Sequence, residues 1–94
     1  MIRGFRDART KAVFGGECPK GFPADIVRVA RRKLRMVDAA AQLIDLRAPP
    51  GNRLHPLNGD RAGQHAISIN DQFRVCFTWS DDGPADVEIT DYHD

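Results

Sequence analysis

The stretch Phe73-Arg74-Val75-Cys76-Phe77-Thr78-Trp79-Ser80 alternates apolar and other residues with period two. Successive side chains of a strand point to opposite faces, so Phe73, Val75, Phe77 and Trp79 line one face while Arg74, Cys76 and Thr78 line the other. Ser80-Asp81-Asp82-Gly83 supplies a turn, and Val87 and Ile89 extend the inner face along a last strand ending at Asp91-Tyr92-His93. Upstream, Ile67 and Ile69 alternate with polar neighbours, and Asn70-Asp71 supplies turn residues. Three antiparallel strands are therefore expected to close the chain.

The pattern ahead of these strands is helical. Ile2 to Phe5 reads as a short strand, after which Asp7 can cap a helix by accepting from the unpaired amides of its first turn. That helix should reach Phe14 and stop at Gly15-Gly16, which tolerate the backbone of a helix end. A second helix should start near Pro23, whose missing N–H suits a first turn, with Asp25 favoured by the positive helix end. Ile26, Val29, Ala30, Leu34 and Val37 recur at three- and four-residue spacing as a buried stripe. Arg28, Arg31, Arg32, Lys33 and Arg35 are expected to surround the rest of this helix. Asp38 should cap a short extension through Ala39-Ala40-Ala41, and Ala48-Pro49-Pro50-Gly51-Asn52 should be a loop. Helices followed by an antiparallel meander predict an α+β fold, a small sheet with N-terminal helices packed on one face.

At 94 residues the chain suffices for one domain, 1–94, with a modest core. With 41% hydrophobic and 29% charged residues it has the composition of a globular protein. No apolar run approaches the roughly 18 residues of a membrane span, and Met1 to Phe5 lacks the apolar core of a secretion signal. No membrane association and a cytoplasmic location are expected. Cys18 and Cys76 belong to no metal or redox spacing and are expected as free, buried or half-buried thiols. The net charge of +1 conceals an asymmetry. Residues 1–47 carry eleven Lys/Arg against five acids, and residues 48–94 carry three against eight. A broad anion-binding surface is thus available only from the first half.

Arg74 is the first residue with a chemical reading. Flanked by Phe73 and Val75 it must point away from the helices, where a guanidinium offers a phosphate several rigid donors. A solvated arginine pairing with Glu88 or Asp86 fits the pattern equally. His55, in Arg53-Leu54-His55-Pro56-Leu57-Asn58-Gly59-Asp60, and His93, beside Asp91 and Tyr92, can divide acid and base work near neutral pH. His65, near a strand start, reads as structural.

Arg53-Leu54-His55-Pro56-Leu57 followed by Gly59-Asp60 is similar to the central signature of HigB-type toxins of the RelE/ParE superfamily. The strand pair Phe73-Arg74, nineteen residues after His55, Ser68-Ile69-Asn70 upstream of it, and the ending Asp91-Tyr92-His93 resemble the family pattern in register. The resemblance implies a RelE-like fold and the toxin of a type II toxin–antitoxin system. It implies an mRNA interferase, a ribosome-dependent endoribonuclease that cuts messenger RNA in the ribosomal A site and inhibits translation. The reaction would use no cofactor and no metal: a ribose 2′-hydroxyl attacks the adjacent phosphate and the 5′-oxygen leaves. His93, helped by Asp91, would be the base and His55 the acid or an electrostatic stabiliser, with acid and base exchangeable. Arg74 would hold the phosphate and Tyr92 would stack on or hydrogen-bond the nucleotide. Asn58 would lie beside the scissile phosphate, and Arg28, Arg31, Arg32, Lys33 and Arg35 would bind ribosomal RNA through phosphates. The implied partners are the ribosome, messenger RNA and a small helix-turn-helix antitoxin (HigA-like).

The chain departs from the family pattern at Asn58, where a lysine is usual, and at Gln64-His65, where aromatics are frequent. The first departure removes a cation from the phosphate site, so slower cleavage is expected. Two alternatives remain: a weak or inactive member that only binds antitoxin, or a ParE-like toxin directed at gyrase.

Overall fold

The computed structural model describes residues 1–91 and contains two α-helices and one four-stranded antiparallel sheet. The helices are α1, Ala8–Phe14, and α2, Val27–Ala39. The strands are β1, His55–Pro56, β2, Gln64–Ser68, β3, Phe73–Ser80, and β4, Gly83–Asp91, hydrogen-bonded in that order. The expected α+β fold, with N-terminal helices beside a meander, is therefore present. None of the helices among the described residues is long and apolar enough to cross a membrane.

The local signals explain most of these elements. The Asp7 carboxylate accepts from the Thr10 amide at 2.8 Å and caps α1, which ends at Gly15. Gly16 follows at φ 101°, a backbone region that a side chain would strain. A 3₁₀ turn, Ala24–Ile26, leads into α2. Ile26, Ala30, Leu34 and Val37 pack from one side onto Val75, Phe77, Val87 and Ile89 of the sheet. Phe77 and Val75 are fully buried, and truncating an aromatic at such a site costs about 3–5 kcal/mol.

Five features differ from the sequence-based expectation. First, residues 2–6 form no complete strand. They run beside β4 through one parallel bridge, Phe5 to Val87, with Arg3 N–H on Pro84 O and Arg6 N–H on Val87 O. Second, Asp38 caps nothing: it lies inside α2 and accepts from the Ile2 amide at 2.8 Å, pinning the N-terminus. The chain after α2 instead forms a 3₁₀ turn, Leu43–Arg47, closed by a reciprocal Gln42–Asp45 capping box.

Third, Lys33 is buried rather than on the cationic surface, and its Nζ donates to Oδ1 of the fully buried Asn52. Asn52 Nδ2 in turn donates to the Leu46 and Ala48 carbonyls, so this pair ties the loop before β1 to α2. Burial, and then the neighbouring Arg32 charge, push the Lys33 ammonium below its ordinary value. Fourth, β1 adds a strand at the sheet edge, pairing His55 with Ala66 and Pro56 with His65. Fifth, Cys18 is exposed rather than buried or half-buried, whereas Cys76 is buried as expected.

Candidate functional site

The face of the sheet away from the helices is built by the residues opposite Arg74 in register. Arg74 lies between Ser68 of β2 and Thr90 of β4, and Cys76 lies between Ala66 and Glu88. The middle of this face is covered, because Leu57 packs against Ala66 and Cys76. Arg74 is half-buried, and its Nε donates to Thr90 Oγ1 at 3.2 Å. A fixed guanidinium at a strand position is preorganised for an anion, since little side-chain entropy remains to be lost on binding.

After β1 the Leu57 amide donates to Gln64 O, and the chain turns through a 3₁₀ segment, Gly59–Arg61. Gly59 takes φ 63°, which leaves Asn58 extended and exposed at the lip of the turn. Arg61 Nη1 reaches Gln64 Oε1 at 3.2 Å and Glu88 Oε1 at 3.0 Å, and Arg6 Nε lies 3.9 Å from the same carboxylate oxygen. A groove of about 430 Å³ results, lined by Arg6, Asn58, Asp60, Arg61 and Arg74. Two residues singled out from the sequence, Arg74 and Asn58, thus meet in one concavity. Arg6, Arg61 and Glu88 were not singled out. Their association spans up to 82 positions of sequence, from residue 6 to residue 88, and no local pattern announces it.

His55 is on the same face by register, opposite Ala66. It lies two strands over from Arg74 and two residues along, about 12 Å between backbones at ordinary strand spacings. Its Nδ1 is 2.7 Å from the Arg53 carbonyl, which can only accept, so Nδ1 carries a proton and Nε2 is the nitrogen left for chemistry. His55 borders a second, more apolar hollow of about 360 Å³ with Leu43, Ile44, Leu54 and His65. The His65 ring stacks on Phe77 at 6.5 Å between centroids, and its Nδ1 is buried with no hydrogen-bond partner among the described residues. Asp91 pairs with Phe73 in register, and its Oδ2 accepts from Gln72 Nε2 at 3.0 Å. Tyr92 and His93 lie outside the described residues. Among those described, no three His, Cys, Asp or Glu side chains converge as a metal-holding cluster.

The cations of α2 form a separate surface. Arg28, Arg32 and Arg35 are exposed and, with Arg31 and Asp25, line a groove of about 540 Å³. Arg31 is half-buried because its Nε donates to Val13 O at 2.9 Å and its Nη2 to Glu17 O, tying α2 to the end of α1. Since α2 buries its opposite side on the sheet, this surface and the Arg74 groove face away from each other across the molecule.

The model of the family described as RelE-like toxin of type II toxin–antitoxin system HigB matches residues 3–93. "Toxin HigB-1" of Vibrio cholerae serotype O1 is 44% identical over 59 residues, 63% of this chain, and the match spans 62% of that toxin's length. "Endoribonuclease HigB" of Proteus vulgaris is 29% identical over 93 residues, 99% of this chain and 100% of that protein.

Proposed function

Since this chain belongs to the HigB family of RelE-like toxins of type II toxin–antitoxin systems, we propose that it is an endoribonuclease that cuts messenger RNA in the ribosomal A site. The observation that carries this reading is the groove in which the rigid Arg74 guanidinium meets Asn58 and two further arginines. Cleavage by the substrate's own 2′-hydroxyl needs a base, an acid and a cation for the pentavalent phosphorane. The base removes the 2′ proton, the 2′-oxygen bonds to phosphorus, and the phosphorus–5′-oxygen bond breaks. The acid protonates that leaving oxygen, giving a 2′,3′-cyclic phosphate and a 5′-hydroxyl.

Arg74 holds the phosphate, and His93, oriented by Asp91, takes the 2′ proton. His55, its Nδ1 committed to the Arg53 carbonyl, acts through Nε2: as imidazolium it gives the Nε2 proton to the leaving 5′-oxygen or stabilises the phosphorane. Tyr92 stacks on the nucleotide. Asn58 donates a hydrogen bond to the phosphate but no charge. On the far side of the molecule, Arg28, Arg31, Arg32 and Arg35 grip ribosomal RNA through phosphates, without reading bases. Lys33, buried on Asn52, contributes to holding the fold rather than to this grip. As a type II toxin the protein has an antitoxin partner, here a small helix-turn-helix protein, and it works in the cytoplasm, where its ribosomes are. Mapping of transcript ends on ribosomes programmed with a defined A-site codon tests this. Cuts confined to that codon, and lost with Arg74→Ala, are expected; intact transcripts with the wild-type protein would refute it.

A further inference from the structure

Two negative charges must be met at the phosphorane, yet Asn58 brings none of the positive charge required at the lip of the groove. In a 3₁₀ turn residues three apart lie one above the other. Arg61 follows Asn58 by three positions across such a turn, and its amide donates to the Asn58 carbonyl at 3.3 Å. The turn thus brings residues 58 and 61 together, and both line the same groove. We propose that Arg61 is the second cation on the scissile phosphate, supplying from position 61 the charge that Asn58 lacks. This rests on the endoribonuclease reading.

Three observations carry it. Arg61 lines the same groove as Arg74 and Asn58. It is held rather than floppy: Nη1 is anchored on Gln64 Oε1 and Glu88 Oε1, and its side chain is 24% exposed. An arginine so restrained loses less rotamer freedom on meeting a phosphate. Finally, the groove's formal charge depends on it. Among the described residues, Arg6, Arg61 and Arg74 against Asp60 and Glu88 give three positive and two negative groups, a balance of +1. Without Arg61 that balance among the described residues is zero, so Arg61 carries the groove's excess of positive charge there.

The competing role is a clamp, in which Arg61 only ties the turn to β4 through Glu88. Single-turnover cleavage on programmed ribosomes, with thermal melts of the same proteins, separates the two. Arg61→Gln should slow the chemical step by roughly 10²-fold, the scale for a group that meets transition-state charge. Adding Asn58→Lys to Arg61→Gln should recover at least tenfold of that loss, because the cation returns to the same edge. Arg61→Lys, which keeps the charge but replaces the planar guanidinium whose Nη1 meets both Gln64 and Glu88, should melt lower yet cleave within about tenfold of wild type. The clamp predicts the reverse: melting changes in both, rates per folded molecule within twofold of wild type, and no rescue by Asn58→Lys. That pattern overturns the proposal while leaving endonuclease activity intact. If the wild-type protein does not cut, the endoribonuclease reading itself fails, and the proposal with it.

Discussion

Asn58→Lys should make this protein faster. The residue sits extended and exposed at the lip of the Arg74 groove, and its side chain makes no capping bond to the turn that follows. The positive φ of that turn is carried by Gly59, so asparagine's tolerance of unusual backbone is not used at position 58. The substitution should therefore alter stability by less than about 0.5 kcal/mol, as for a surface site without special contacts. Its electrostatic effect is larger. The phosphate gains one unit of negative charge on becoming a phosphorane. At about 6 Å and an effective dielectric near 40, between the surface and water limits, a new ammonium meets that charge with about 1.4 kcal/mol. Such a gain is about tenfold in rate. Because the attraction grows in the transition state, it should appear in the single-turnover rate at saturating ribosome rather than in binding. A time course on the two proteins, with a thermal melt of each, reads both quantities. An unchanged rate with unchanged melting would refute the electrostatic account of the groove.

Replacing His55, Arg74 or His93 by alanine should each slow cleavage by roughly 10²-fold or more, measured by transcript-end mapping at equal protein level; wild-type toxicity of His93→Ala would remove that residue from the mechanism. Reversing the charges of Arg28 and Arg32 should weaken ribosome co-sedimentation and flatten its salt dependence, while melting stays unchanged. Lys33 should give stability a pH dependence of known sign. Its folded value lies below 10.5, so in the window between that value and 10.5 the unfolded chain holds a proton that the native one has lost. Stability contributed at this site therefore rises with pH through the window. Denaturant melts should show the wild-type-minus-Lys33→Met difference climbing as pH approaches 10.5, and a flat difference would contradict the burial of Lys33.

What the sequence disclosed, and what it hid, divide by distance along the chain. The Asp7 cap and the alternation from Phe73 to Trp79 are local physics, and both appear as read. Lys33 shows how far spacing reaches. Positions 26, 30, 33 and 37 already lie on one helical stripe, but a lysine there reads as surface unless its partner is known. That partner, Asn52, arrives from a loop nineteen residues later. β1 was hidden because two residues, one of them proline, carry no alternation. At the site, Arg74 and Asn58 were legible from position and resemblance. Arg61, its anchor Glu88 and the nearby Arg6 were not, because the docking of residues 2–6 beside β4 and the turn after β1 bring them together across the fold.

In the proposed reaction the substrate's own ribose supplies the nucleophile, and the mechanism turns on this step. Its most direct test is the chemical identity of the new 3′ end on messenger RNA cut in the A site, measured with a ribose and with a 2′-O-methyl ribose at the cut position. A 2′,3′-cyclic phosphate on the first substrate, and no cutting of the second, is the predicted result, with chelator making no difference. A 3′-hydroxyl end, or cutting of the 2′-O-methyl substrate at an undiminished rate, would contradict it.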